Sequence, residues 1–380
     1  MSARAAELRA QGKEVFNFTV GEPDFDPPEH VLAAAESAVR KGVSKYTAVP
    51  GIAPLREAIV KSIKARTEAD IAPNNVCVGT GAKSILYNLA TALFEPGDEV
   101  IIPAPYWVSY PEQVRMMGAT PVFVETSAED RFCLRPEALR KKISKKTKAI
   151  ILNSPCNPTG MAYSPEETRA ILDVCKEGDF WIITDEIYAA LLFDGRPSAS
   201  FYGIGKDLRD RILLVDGVSK AYAMTGWRIG WVVGPRNVIA ACELVQGQST
   251  SHPTALAQAA ALVALTGPQE DVEKMRQAFE KRRDVVVEEL STIPGLKVPK
   301  PEGAFYAFVD ARGLIGKRAG DNVLTDDLAI ATYLVESAYV VTVPGTPFGA
   351  PGFLRMSFAM SEDTLRRGAK AIRDAVAKLT

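Results

Sequence analysis

Five short runs of apolar, largely β-branched residues constrain this chain more than any other feature: Val100-Ile101-Ile102, Val122-Phe123-Val124, Ala149-Ile150-Ile151-Leu152, Trp181-Ile182-Ile183 and Ile212-Leu213-Leu214-Val215. Runs without polar alternation are expected of parallel strands covered on both faces. Helical patterns separate them, so the sequence predicts an α/β fold with a mainly parallel, doubly covered sheet. Ligands of such sheets sit beyond the carboxyl ends of the strands. Asn157, Asp185 and Lys220 each follow one of these runs and fall at that edge.

A sixth, shorter strand is predicted in NNVCVGTG, followed by a helix whose Leu86, Leu89, Ala90 and Leu93 face inward. A strand, a glycine turn and a helix start together make an anion cradle, because free N–H groups and the positive end of the helix dipole point outward. Gly79-Thr80-Gly81-Ala82-Lys83-Ser84 has the outline of a nucleotide P-loop but carries Ala82 where that loop needs glycine. Nearer the N-terminus, Pro27 and Pro28 open a helix with Val31, Ala35, Ala38 and Val39 on one apolar stripe. Beyond Gly267-Pro268 the pattern changes. A long helix, about 269–290, leads to a strand around 304–309, a helix over 326–337, strands over 339–343 and 353–359, and a last helix with Ser361 at its N-cap.

Composition narrows the function. With 45 basic and 46 acidic residues there is no excess charge to attract nucleic acid or anionic lipid. Two histidines exclude a multi-histidine metal site, so protons must be carried by other groups. Five scattered cysteines with no metal or redox spacing suit a reducing compartment. No apolar run reaches the roughly 20 residues of a membrane helix, and the N-terminus lacks a signal-peptide core. These features predict a cytoplasmic protein without membrane or nucleic-acid partners.

Within DGVSKAYAMTGWRIG, Lys220 follows the last apolar run, where an amine can be desolvated enough to form a Schiff base with a carbonyl. Arg228 offers a fork suited to phosphate. The residues alone leave open a solvated loop lysine and an arginine paired with a carboxylate. Likewise Asp185 could cap a following helix, Trp107 could be a core residue, and Tyr46 could cap a loop. Lys83 could be a solvated helix lysine, and alternation puts Arg355 opposite the buried Leu354, Met356 and Phe358, where it could simply face water.

SKAYAMTGWRIG resembles the lysine segment of class I pyridoxal-phosphate aminotransferases, most of all the bacterial and plastid type of aspartate (aspartate/prephenate) aminotransferase. GEPDF, SKYT, PYWVSYPE, NSPCNPTG, TDEIY and FLRMSFAMS continue the resemblance in family order over nearly the whole chain. It implies the fold of type I pyridoxal-phosphate enzymes: an N-terminal arm, 1–28, joining the small domain, a large cofactor-binding domain, 29–267, and a bridging helix with the small domain, 268–380. A further N-terminal segment over the active site is usual in the family, and this chain begins after it.

The implied cofactor is pyridoxal 5'-phosphate, linked to Lys220, which also moves the proton. Asp185 would keep the ring nitrogen protonated, and Tyr188 and Asn157 would serve the ring hydroxyl. Trp107 would pack on the ring, with Ser219, Arg228 and the Gly81-Ala82 backbone on the phosphate. Relatives often place a second serine where this chain has Gly217. Tyr46 would reach the cofactor phosphate of the other subunit in a homodimer with shared sites. Gly21, Trp107, Asn157 and Arg355 would meet the substrate, Arg355 gripping its α-carboxylate. Lys83 would read the distal carboxylate of aspartate or glutamate, because the neighbour-subunit position used by animal-type relatives falls near Gly247. The implied reaction passes an amino group between an amino acid and a 2-oxo acid, with 2-oxoglutarate, oxaloacetate and prephenate as acceptors to consider. A β-lyase or synthase on the same fold, an aminotransferase of aromatic or apolar amino acids, a cofactor-binding sensor and a P-loop phosphotransferase are the competing readings.

Overall fold

The computed structural model describes residues 2–380. Its main sheet has the spatial order Val76–Gly79, Gly230–Val233, Ile212–Gly217, Trp181–Asp185, Thr147–Asn153, Glu99–Ala104, Thr120–Glu125. All five predicted runs lie in it and pair parallel with one another. Successive residues enter opposite cores: Ile150, Ile182 and Leu214 pack on one face, and Ile151, Ile183 and Val215 on the other. This double burial explains why the runs lack polar alternation, and each such side chain contributes about 1.5–3 kcal/mol.

Gly230–Val233 was not foreseen from the apolar runs. It is antiparallel to both neighbours. The segment joining it to Ile212–Gly217 stays beyond the carboxyl end of that strand and holds only a short 3-10 turn, Thr225–Trp227, instead of a helix crossing a face, so the strand returns in the opposite direction beside it.

A second core surrounds a three-stranded antiparallel sheet ordered Val343–Pro344, Phe353–Ser357, Tyr306–Asp310. Helices Glu270–Ser291, Asp327–Ala338 and Glu362–Val376 cover it, with Phe279, Leu334 and Ile372 buried. The Ser361 cap is present, its side chain accepting from Thr364 N at 3.2 Å. The strand expected over 339–343 is instead two dipeptides in different sheets. Val340–Val341 pairs parallel with Phe16–Asn17, and Val343–Pro344 pairs with Phe353–Ser357. Phe16 and Phe18 of the N-terminal segment belong to this second core, as do Ile187, Tyr188, Leu191 and Phe193, which follow the main-sheet strand Trp181–Asp185. Of the apolar stripe on Glu29–Arg40, Val31 and Ala38 are buried, but Val39 is 62% exposed. Eight residues past Val31 it has rotated to the edge of the stripe, beyond the helix contact.

Three glycines meet in one row across the sheet, Gly79 opposite Gly230 and Gly230 opposite Gly217. A Cβ on Gly230 would run into the backbone of Gly81 and Ala82, and one on Gly217 would lie 2.8 Å from the Ile229 carbonyl oxygen. The row therefore lets the Gly81-Ala82 turn settle on the sheet end. Gly230→Ala is expected to cost about 1–3 kcal/mol by overpacking against backbone. Gly226→Ala, whose new Cβ has nothing within 4 Å, should leave stability unchanged. Equal thermal unfolding midpoints for both variants would refute this account.

Candidate active site

The carboxyl ends of Thr147–Asn153, Trp181–Asp185 and Ile212–Gly217 open into a cleft lined by Asn153, Asn157, Asp185, Tyr188, Ser219 and Lys220. Gly21, Ala82, Lys83, Trp107, Arg228 and Arg355 line it as well, so every predicted site residue except Gly81 and Tyr46 borders one cavity. Gly81 lies immediately behind it, at the N-cap of Ala82–Leu93.

Lys220 is half-buried, and its Nζ donates to the Gly21 carbonyl oxygen at 2.6 Å. Burial pulls its pKa down to about 8. The negative charges of Glu22 and Asp185 oppose that fall, and the positive charges of Arg228 and Arg355 reinforce it. A neutral, nucleophilic amine is thus accessible near neutrality. Gly21 is held in place through its neighbour: Thr225 Oγ1 donates to Glu22 Oε2 at 2.8 Å.

Asp185 ends its strand almost fully buried, without a cationic partner among the described residues. Desolvation raises its pKa to about 6. Hydrogen bonds from the Tyr110 hydroxyl at 2.7 Å and the Ile187 N–H at 3.2 Å work in the other direction. No helix follows it, so the capping role left open by the sequence does not apply.

The Gly81 turn and Arg228 fit each other. Gly81 has φ +96°, and a Cβ there would collide with the Arg228 guanidinium. Arg228 is itself left-handed at φ 57°, and its Nη1 donates to the Thr225 carbonyl at 2.8 Å. No carboxylate pairs with it among the described residues. The Ala82 and Lys83 N–H groups that open Ala82–Leu93 have no backbone acceptor among the described residues, the Ser84 N–H being the first to donate, to the Gly81 carbonyl at 3.0 Å, and Ala82 lines the cleft together with Arg228. Ser219 is buried in the same corner. No hydroxyl fits at 217, because the Cβ that would carry it is blocked by Ile229 and Gly230.

Trp107 is half-buried on the cleft wall, edge-on to Tyr110 at 5.4 Å. The exposed Lys83 places its Nζ 4.7 Å from the indole centroid, with no carboxylate in ion-pair range among the described residues. Arg355 does not face water. The side of its strand opposite Leu354 and Met356 is closed by the cleft, leaving Arg355 only 9% exposed. Its Nη1 donates to Asn157 Oδ1 at 3.1 Å and its Nη2 to the Thr19 carbonyl at 2.9 Å, while its buried Nε has no partner. Lys83, Lys220, Arg228 and Arg355 therefore line the cleft with Asp185 as the one carboxylate among its lining residues, while Glu22 stands beside Thr225 at its rim.

Tyr46 lies outside the cleft, 91% exposed and edge-on to His252 at 5.6 Å. Sequence reasoning missed Tyr110, Thr225 and Tyr306. Tyr110 lies three residues after Trp107 within PYWVSYPE, so that motif carried a signal for it. Nothing in the local pattern around Tyr306 distinguishes it from a core tyrosine.

The family model "Aminotransferase class I and II" matches residues 13–372. An aspartate/prephenate aminotransferase of Cereibacter sphaeroides is 46% identical, covering 97% of this chain and 93% of its own. The crystal structure of the aspartate aminotransferase from Rhizobium meliloti superposes with a TM-score of 0.97 at 41% identity, over 100% of this chain and 95% of that one. Aspartate aminotransferase from Thermus thermophilus with maleate gives 0.91 at 42% identity, over 98% and 95%. The chain thus belongs to the class I and II aminotransferases, enzymes that transfer amino groups with pyridoxal phosphate.

Proposed function

We propose that this enzyme transaminates a dicarboxylic amino acid, aspartate or glutamate, against 2-oxoglutarate or oxaloacetate, in sites shared between two copies of the chain. The observation that carries the reading is the surplus of cations in the cleft. After a phosphate is assigned to Arg228, Lys83 and Arg355 still lack carboxylate partners. Two separated cations suit two carboxylates, and maleate, present with the Thermus enzyme, is a dicarboxylate. Prephenate, named for the Cereibacter relative, is itself a dicarboxylic 2-oxo acid and meets the same requirement.

The donor set fits the cofactor. The Gly81 cradle, Ser219 and Arg228 suit its phosphate. Asp185, buried without a cation, suits a pyridinium nitrogen, and Tyr110 holds that carboxylate in place. Trp107 would give the ring a face, and Asn157 and Tyr188 would serve its hydroxyl. When bound, pyridoxal phosphate supplies an electron-withdrawing ring that lets the Cα proton of the amino acid depart. Lys220 Nζ is the base that takes this proton. Arg355 orients the α-carboxylate with the guanidinium edge whose Nε is unpartnered, Gly21 approaches the substrate through its backbone, and Lys83 reads the distal carboxylate. The arm 1–28, large domain 29–267 and small domain 268–380 are the units of this reading. The unpaired cysteines suit a cytoplasmic location. Val39, Val43 and Tyr46, all exposed, suit burial against a second copy, with Tyr46 completing that copy's phosphate site.

Three outcomes test the proposal. Borohydride reduction of the holoenzyme should fix the cofactor on Lys220, and Lys220→Ala should lose about 10²–10⁴ in rate while still binding cofactor; peptide mapping that finds the label on another lysine refutes the assignment. Lys83→Ala should lower kcat/KM for aspartate by about one to two powers of ten, as expected for a charge-assisted hydrogen bond. An apolar amino acid should be spared, and equal losses for both would remove Lys83 from substrate reading. Mixing inactive Lys220→Ala with impaired Tyr46→Phe should restore activity, because each heterodimer contains one site with both residues intact. A fully active monomer would overturn the shared site.

A further inference from the structure

Tyr306 has no part in the roles assigned above, yet it touches two of them. It is 1% exposed, and its hydroxyl lies 3.1 Å from that of Tyr188. The Arg355 guanidinium carbon lies 4.7 Å from its ring centroid. The register explains the second contact. Arg355 lies opposite Phe308, and Tyr306, two residues along the adjacent antiparallel strand, presents its side chain to the same face.

We propose that Tyr306 is a positioning residue that couples the carboxylate grip of Arg355 to the hydrogen-bond donor Tyr188, its ring supporting the first and its hydroxyl polarising the second. The proposal rests on the assignment of Tyr188 to the cofactor's ring hydroxyl. The two tyrosine hydroxyls have two protons, and one proton lies between them. Once Tyr188 commits its own proton to the cofactor oxygen, only Tyr306 can supply the proton in between. Tyr306 then donates to the Tyr188 oxygen, which makes the Tyr188 O–H a stronger donor, as in any hydrogen-bonded chain. With the cofactor bound, a stronger donor would stabilise negative charge on its ring oxygen and so would loosen the proton shared with the Lys220 nitrogen. That proton leaves at lower pH. Beneath Arg355, the ring face stabilises the guanidinium by a cation–π contact, and this does not require the hydroxyl.

The test is a visible-absorbance pH titration of the holoenzyme. Tyr306→Phe keeps the ring and removes the hydroxyl. Its spectral midpoint should rise by about half a pH unit, the share of a neutral hydrogen bond passed along a two-link chain. KM for the amino donor should stay within about twofold, because the cation–π support remains. Tyr306→Leu removes both functions and should also raise KM about five- to tenfold. If the leucine variant does not fold, the phenylalanine variant decides the matter alone. Tyr188→Phe, run in parallel, should raise the midpoint further than Tyr306→Phe. If Tyr188→Phe shifts the midpoint and Tyr306→Phe does not, the coupling is overturned and the site reading stands. If neither shifts it, both fall.

Discussion

The amine of Lys220 is held partly out of water, and much of the surrounding structure is needed to keep it there. Burial favours the neutral form, and nothing nearby reverses this: the closest acceptor is the Gly21 carbonyl, a dipole and not a charge. That carbonyl is positioned from far along the chain. Phe16 and Phe18, a few residues upstream, are anchored in the second core, and Glu22 is tied to Thr225 beside the lysine loop. The lysine's basicity is therefore a property of the junction between the two cores, and the strand that carries it does not set it alone.

The same dryness acts on Asp185 in the opposite sense, raising the carboxyl to about 6 as it lowers the amine to about 8. Each group is shifted toward its neutral form, as desolvation requires. A cationic ring nitrogen beside Asp185 would restore its charge, and anions beside Arg228 and Arg355 would offset the remaining imbalance. In the proposed reading the protein supplies most of the positive charge, and cofactor and substrate supply the negative charge. Arg355 Nε illustrates this arrangement: a buried donor without a partner is costly, and a carboxylate is the group that would satisfy it.

The main sheet was legible because its strands are buried on both faces and leave an unbroken apolar record. Asp185 and Lys220 were legible because they follow such strands. Where burial and sequence pattern part company, the reading weakened. Gly230–Val233 is short and glycine-flanked, and only its neighbours make it a strand. Val39 fits a helical stripe that ends one position too early. Residues 339–343 have the composition of one strand but divide between two partners. Arg355 occupies the polar face of an alternating strand, and alternation cannot distinguish a face turned to water from one turned to a cleft. Tyr306 gave no signal, since its importance lies in a register between strands about 50 residues apart.

Neither core holds the whole of the proposed site. Lys220, Asp185 and Asn157 stand on loops and strand ends of the parallel sheet, whereas Arg355 and Tyr306 stand on the antiparallel one. If Arg355 grips the substrate carboxylate and Lys220 works at the adjacent Cα, the reacting distance is set by how the two sheets are joined. The join is well determined. Ile187 to Phe193 leave the strand of Asp185 and enter the second core, Leu192 forms a β-bridge with Gly303, and the Ala304 N–H donates to the Leu191 carbonyl at 2.9 Å. Tyr188 lies inside this join and meets Tyr306 across it. A displacement of about 1 Å between a substrate and its base can cost on the order of 10²-fold in rate. Packing far from the reacting atoms, at Leu191 and Phe193, is therefore as much a part of the active site as the polar groups that line the cleft.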